Sequence, residues 1–192
     1  VYNINQIWMS GTPSSVIIKY MESIIDAKGP NDTYTLVADN NFLVHKDGVI
    51  FQPIADIVSA MQTAYPLIKT FWDTLVVEHK SDLVRYYLAS MTDFMLYLDC
   101  DCEATRLPAP ISAYPHFVKY TLSGCVVKEY IFFNNSQFGF FKILFQRLVD
   151  FMSSPAFQGF YGAPFIILNK QLNIQNQKFS MFADDAVAHH TL

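Results

Sequence analysis

Asp99 and Asp101 stand one residue apart directly after the apolar run Phe94-Met95-Leu96-Tyr97-Leu98. A short run of that composition reads as a strand buried on both faces, so the two carboxylates fall where the strand stops. Such a pair suits Mn²⁺ or Mg²⁺, hard ions that dehydrate reluctantly and are held by one or two Asp together with substrate phosphates. The implied ligand is a diphosphate. Upstream, Ser81-Asp82-Leu83-Val84-Arg85 sets an acid and a base three residues apart on a helical stretch. On spacing alone that is a surface ion pair worth roughly 0.2–0.5 kcal/mol. Other polar or aromatic residues also close apolar segments: Trp8 near the start, Asn134 and Asn135 after Val126 to Phe133, and His189 and His190 near the end.

These residues need elements to hold them, and the chain alternates strand-like and helix-like stretches. Asn3 to Met9 reads as a strand that breaks at Ser10-Gly11-Thr12-Pro13. Ser14 or Ser15 then caps a helix with Val16, Ile17, Tyr20, Met21, Ile24 and Ile25 at helical spacing. Thr33 to Ala38 reads as a second strand, and Asp56 to Thr63 and Leu67 to Val77 as helices separated at Pro66. Ser81 to Met91 reads as a helix capped by Ser81, with Leu83, Val84, Tyr87, Leu88 and Met91 inward and Asp82, Arg85 and Ala89 on the other face. A helix from about Phe138 to Met152 follows, then a Gly- and Pro-rich loop, the run Phe165 to Leu168 and a last segment Phe179 to His190. Alternating units of this kind imply an α/β fold: a Rossmann-type open sheet with helices on both faces, which binds ligands beyond the carboxyl ends of its strands.

Composition narrows the function. At 192 residues and 52% hydrophobic content the chain can bury one substantial core, and its 17 Phe and 11 Tyr point to an aromatic one. A net charge of −4 with no Lys/Arg cluster argues against nucleic acid as a partner. The longest apolar stretches fall short of the roughly 20 residues of a transmembrane segment. Three cysteines, Cys100, Cys102 and Cys125, cannot all pair, so a reduced, intracellular (cytoplasmic) setting is expected. A zinc site on Cys100, Cys102, His116 and Cys125 lacks the usual ligand spacing. The sequence begins at Val1, and residues 1–192 are expected to form a single domain excised from a longer chain.

Three blocks resemble a known group: Asn5-Gln6-Ile7-Trp8; Ser81-Asp82-x-x-Arg85-Tyr86 with Tyr97-Leu98-Asp99-x-Asp101, eleven residues further on; and His189-His190. The pattern is similar to nucleotide-sugar glycosyltransferases of the GT-A fold with a D-x-D motif, including the clostridial glucosylating toxins and yeast-type initiating mannosyltransferases. The resemblance implies a metal-dependent glycosyltransferase taking a UDP- or GDP-sugar donor and a glycan or protein hydroxyl as acceptor, with retention at the anomeric carbon. It implies that Asp101 and Asp99 hold the metal, helped by His189 or His190, and that Trp8 stacks on the nucleobase. Asp82 and Arg85 would reach the donor rather than each other, with Tyr97, Asn134 and Asn135 also binding it. Arg85, Asp99 and Asp101 are the catalytic candidates. Two departures stand out: Thr92-Asp93 replaces the Gly-Gly that many relatives place before the D-x-D strand, and the sequence stops at Leu192 where relatives carry Ser-Trp.

If the reaction inverts instead, a carboxylate must deprotonate the acceptor, and Asp184 or Asp185 is the candidate. Two other classes share some of these features. A haloacid-dehalogenase-like phosphatase also opens with a strand ending in D-x-D, but early in the chain and with Thr or Val where Glu103 stands here. A non-catalytic sugar-nucleotide-binding domain would not need the intact Asp pair.

Overall fold

In the computed structural model, strand β1 (Asn3–Trp8) lies between β2 (Thr33–Ala38) and β4 (Met95–Leu98), parallel to both. The structure describes residues 1–39, 44, 46–107, 116–121, 125–134, 139–157, 180–181 and 187–190; for 116–121, 125–134, 180, 181, 187 and 189 it describes the main chain. Strand β3 (Val49–Pro53) extends the parallel half beside β2. On the other side, β7 (Cys125–Asn134) runs antiparallel to β4 and to β6 (His116–Thr121), and β8 (Ser180–Met181) closes the edge. The seven strands stand in the order β3-β2-β1-β4-β7-β6-β8, and β5 (Cys102–Ala104) forms a separate two-stranded sheet with β9 (Val187–His189). This is an α/β architecture: an open sheet, parallel over β3-β2-β1-β4 and mixed beyond, flanked by helices.

Helix α1 (Ser15–Ala27) covers one face. Ser14 caps it by accepting the Ile17 N–H at 3.3 Å, satisfying a donor that the first turn leaves free. It buries Ile17, Met21, Ile24 and Ile25 against Ile4, Tyr34, Leu36, Leu96 and Leu98. The opposite face carries α2 (Ile54–Ala64), α4 (Val77–Met91) and α5 (Phe140–Met152), packed on Ile7, Val37, Met95 and Tyr97. A short helix α3 (Ile68–Phe71) and a 3₁₀ turn at Trp72–Thr74 replace the longer helix expected from Leu67 to Val77. Strand-to-strand alternation sorts the residues: Ile4, Gln6, Leu98 and Cys100 belong to the α1 face, and Ile7 and Tyr97 to the α4 face.

Two further expectations need correction. Helix α4 starts at Val77, four residues before Ser81, so Ser81 is an interior residue and no side chain caps the helix. It is also buried on more than one side, because α5 packs on it as well as the sheet. Tyr86 and Ala89 are therefore buried, while Met91, expected inward, is 65% exposed at the last turn. Strand β3 escaped notice because an edge strand buries little: Ile50 and Pro53 face water, and Pro53 ends the ladder where its missing N–H costs nothing.

Candidate active site

The chain leaves β1 toward β2 on one side and returns through α4 to β4 on the other, so the strand order reverses between β1 and β4. Crevices at such switch points, outside the carboxyl ends of parallel strands, are where open α/β sheets bind ligands. Trp8 ends β1 and Leu98 ends β4, which puts Asp99 and Asp101 at this switch point, just beyond the strand ends.

Beyond Leu98 the chain makes a tight turn, closed by the Cys102 N–H donating to the Asp99 carbonyl at 3.1 Å. The turn holds both carboxylates within four residues while Cys100 and Cys102 point inward and are buried. It is gripped from both sides of the sheet. On the α4 face, Tyr97 Oη donates to Asp99 Oδ1 at 2.6 Å, and Arg85 Nη2 lies 3.3 Å from the same oxygen. The Arg85 guanidinium sits over the Tyr97 ring, 4.7 Å from its centroid. On the α1 face, Gln6 Nε2 donates to the Asp99 carbonyl at 3.0 Å, and the Cys100 thiol donates to the Ile7 carbonyl at 3.2 Å.

Arg85 also touches Asp82, with Nη2 to Oδ1 at 3.2 Å. The two residues do reach each other, as helix spacing dictates, yet this is no surface pair. Their side chains are 11% and 15% exposed, and Asp99 is 27% exposed. Burial pushes the Asp82 carboxyl above the usual carboxylate range, and the neighbouring Arg85 draws it part of the way back. Burial likewise raises the Tyr97 phenol and the Cys100 and Cys102 thiols well above their ordinary values, which keeps all three protonated. Tyr97, expected to bind the donor, is almost fully buried beneath Arg85, so it orients Asp99 rather than meeting a ligand.

The remaining candidates separate. Trp8 is partly exposed at the end of β1, its Nε1–H donating to the Gly11 carbonyl at 2.7 Å across a bend where Gly11 adopts φ 65°. The late segment comes close: β9 pairs with β5, placing His189 opposite Cys102, and the His190 N–H donates to the Asp101 carbonyl at 3.1 Å. The His190 ring stacks on Tyr20, centroids 4.5 Å apart, with Nε2 3.0 Å from Glu103 Oε2. Serving a metal through Nε2 requires that contact to break. Asn134 is a correction. Because β7 runs antiparallel, the end of that strand lies beside Met95, the first residue of β4, and thus at the opposite end of the strands from Asp99. Asn135, Asp184 and Asp185 lie outside the described residues, as does Phe165 to Leu168.

Among the described residues no group of three or more His, Cys, Asp or Glu gathers to hold an ion unaided. The donor set at the turn is two hard carboxylates, which fits Mg²⁺ or Mn²⁺ completed by phosphate oxygens and water. No helix of the described residues is long and apolar enough to cross a membrane. Sequence reasoning passed over Gln6 and Tyr34, whose buried bond (Tyr34 Oη to Gln6 Oε1, 2.7 Å) backs the turn. The signal was present: Gln6 is an uncharged polar residue in a strand otherwise inward-facing and apolar on that side.

In architecture the chain is similar to glycosyltransferases. It superposes on PaToxG glycosyltransferase with a TM-score of 0.64 at 13% identity, covering 90% of this chain and 69% of that one. A transferase carrying the substitutions C23S and C199S aligns with a TM-score of 0.59 at 10% identity, over 97% of this chain and 93% of the other. The glycosyltransferase GlyE of Streptococcus pneumoniae TIGR4 aligns at 0.59 and 12% identity; this chain is 95% covered and spans 45% of that protein. A scan against protein-family models finds no match, and neither does a search of curated proteins. At such identities the likeness shows a shared GT-A-like fold.

Proposed function

We propose that this chain is a glycosyltransferase that moves a sugar from a nucleoside diphosphate sugar, UDP- or GDP-linked, to a hydroxyl of a glycan or protein. The observation that carries this reading is the Asp99–Cys102 turn: two carboxylates at the switch point of a GT-A-like sheet, with Arg85 directly behind the first of them.

Donor cleavage builds negative charge on the leaving diphosphate, and fixed positive groups nearby lower the barrier. A divalent ion held by Asp101 and Asp99 would supply Lewis-acid stabilisation of that charge. Arg85 contributes a permanent cation behind Asp99 and helps orient that carboxylate, with Tyr97 holding the same oxygen. Asp99 then presents its remaining acceptor capacity to hydroxyls of the ribose or sugar. Trp8, partly exposed at the end of β1 and packed against the α1-side core, would stack on the base. Transfer with retention asks for no strong general base.

A thermal-shift and calorimetric panel of UDP-, GDP- and dTDP-sugars, each with and without Mn²⁺, tests the proposal. A true donor at a hundredfold its Kd stabilises the folded state by about 2.7 kcal/mol. Asp101→Ala removes the Mn²⁺-dependent part of that binding and leaves the fold intact. Equal affinity in the variant and the parent rejects the metal role of Asp101, and no response to any donor rejects the function.

A further inference from the structure

We infer that Gln6 and Tyr34 are positioning residues that set the Asp99–Cys102 turn at a fixed place against the end of β1; this rests on the reading of that turn as the donor-diphosphate site. Gln6 is fully buried within the parallel half of the sheet, and Tyr34 on the neighbouring strand is equally buried. A primary amide in such a place is costly unless its groups find partners, and an apolar side chain of the same volume would fill the space without that cost. Here the amide is engaged at both ends. Its oxygen accepts from Tyr34 Oη at 2.7 Å, and its NH₂ donates to the Asp99 carbonyl at 3.0 Å.

The direction of the amide follows from its partners. Rotated by half a turn, it would set Oε1 against the Asp99 carbonyl oxygen, two acceptors with no proton between them. In the observed orientation the Asp99 carbonyl uses both acceptor positions: one for Gln6, one for the Cys102 N–H that closes the turn. A single oxygen thus joins the turn's own closure to strand β1. Gln6 is two residues before Trp8 on the same strand, so the bond ties the carrier of the indole to the carrier of the two carboxylates. The chain Tyr34–Gln6–Asp99 acts as a spacer between base contact and diphosphate contact, and a nucleotide spanning both requires that spacing to be held. The thiol of Cys100, donating to Ile7, adds a second tie on the same face.

The experiment compares Gln6→Met, which keeps volume and removes the amide, and Tyr34→Phe, which removes one oxygen, with Ile24→Val, a core change in the same cluster. Two readouts are followed: hydrogen exchange of the Cys102 amide, which needs no ligand, and calorimetric affinity for UDP and GDP with Mn²⁺. Both relay variants should exchange the Cys102 amide at least tenfold faster and bind nucleotide at least tenfold more weakly. Ile24→Val should lower the melting temperature while moving neither readout. Tyr34→Phe carries the test alone if Gln6→Met does not fold. Exchange and affinity within twofold of the parent in the folded relay variants, or equal changes in Ile24→Val, overturn the assignment. Should the parent bind neither nucleotide, the donor reading fails, and the exchange arm still decides whether the relay holds the turn.

Discussion

Replacing Arg85 by Leu removes a cation that lies 3.2 Å from Asp82 and 3.3 Å from Asp99, and the size of the loss distinguishes a buried network from a surface pair. Exposed ion pairs contribute about 0.2–1 kcal/mol, whereas removing one partner of a buried pair costs about 3–5 kcal/mol because a charge is stranded. Arg85 and Asp82, at 11% and 15% exposure, lie close to the buried limit; Asp99, at 27%, keeps more water. Discounting for that water, the expected destabilisation near neutral pH is about 2–3 kcal/mol. Asp82 adds a pH signature. Its folded pKa is raised above the ordinary 3.8 by burial and held down by Arg85, so in Arg85→Leu it rises further. A group whose folded pKa exceeds its unfolded one contributes stability below the unfolded pKa and loses it as pH rises through the folded pKa. The penalty of Arg85→Leu should therefore shrink as pH falls from neutrality toward 3.8 and grow in the other direction. Urea denaturation of parent and variant at about pH 5 and about pH 7 measures both quantities. A loss below about 1 kcal/mol at neutral pH, or one that does not shrink in acid, refutes the buried-network account.

In a Trp72→Phe background, UDP or GDP with Mn²⁺ should quench the Trp8 fluorescence, and Trp8→Ala should weaken binding at least tenfold, roughly 1.4 kcal/mol; unchanged affinity with a large stability loss makes Trp8 a packing residue instead. Asn134→Ala should leave donor affinity within about twofold of the parent, because the register puts it at the far end of the strands from Asp99, and a tenfold loss in calorimetry would contradict that placement. Cys100 and Cys102 should resist iodoacetamide in the native chain and react in urea, read by mass spectrometry, since burial keeps both thiols protonated. Rapid native labelling of either would show that the turn opens far more readily than its hydrogen bonds imply.

The parts of the fold legible in the sequence were those with local signals. Apolar runs marked β1, β2, β4 and β7 to within a residue or two, and Ser14 announced α1 through its capping oxygen. What escaped depended on neighbours remote in sequence. The start of α4 was misread because Glu78, His79 and Lys80 look like a polar loop; His79 is in fact buried, next to Phe157. Asn134 was assigned to the site because a strand end looks the same whether its strand runs with or against its neighbours, and only pairing with β4 reveals the direction. Tyr97 shows the same limit at the scale of one side chain: its position two before Asp99 was readable, but its burial under Arg85 was not. The Asp pair was legible because an apolar run that stops abruptly at two carboxylates marks the end of a strand.

The double grip on the Asp99 turn has a consequence for the order in which the molecule assembles. Gln6 and Asp99 are 93 positions apart, as are Ile7 and Cys100, and Glu103 and His190 are 87 apart. Closing loops of that length is entropically costly, and the one hydrogen bond that closes the turn offsets little of it. Helices α1 and α5 can form from local contacts, but the turn takes its geometry only when the first strand, the fourth strand and the last described segment have met. On the function proposed above, donor binding would then be acquired late in folding, and a collapsed chain with only its helices formed would not yet bind nucleotide.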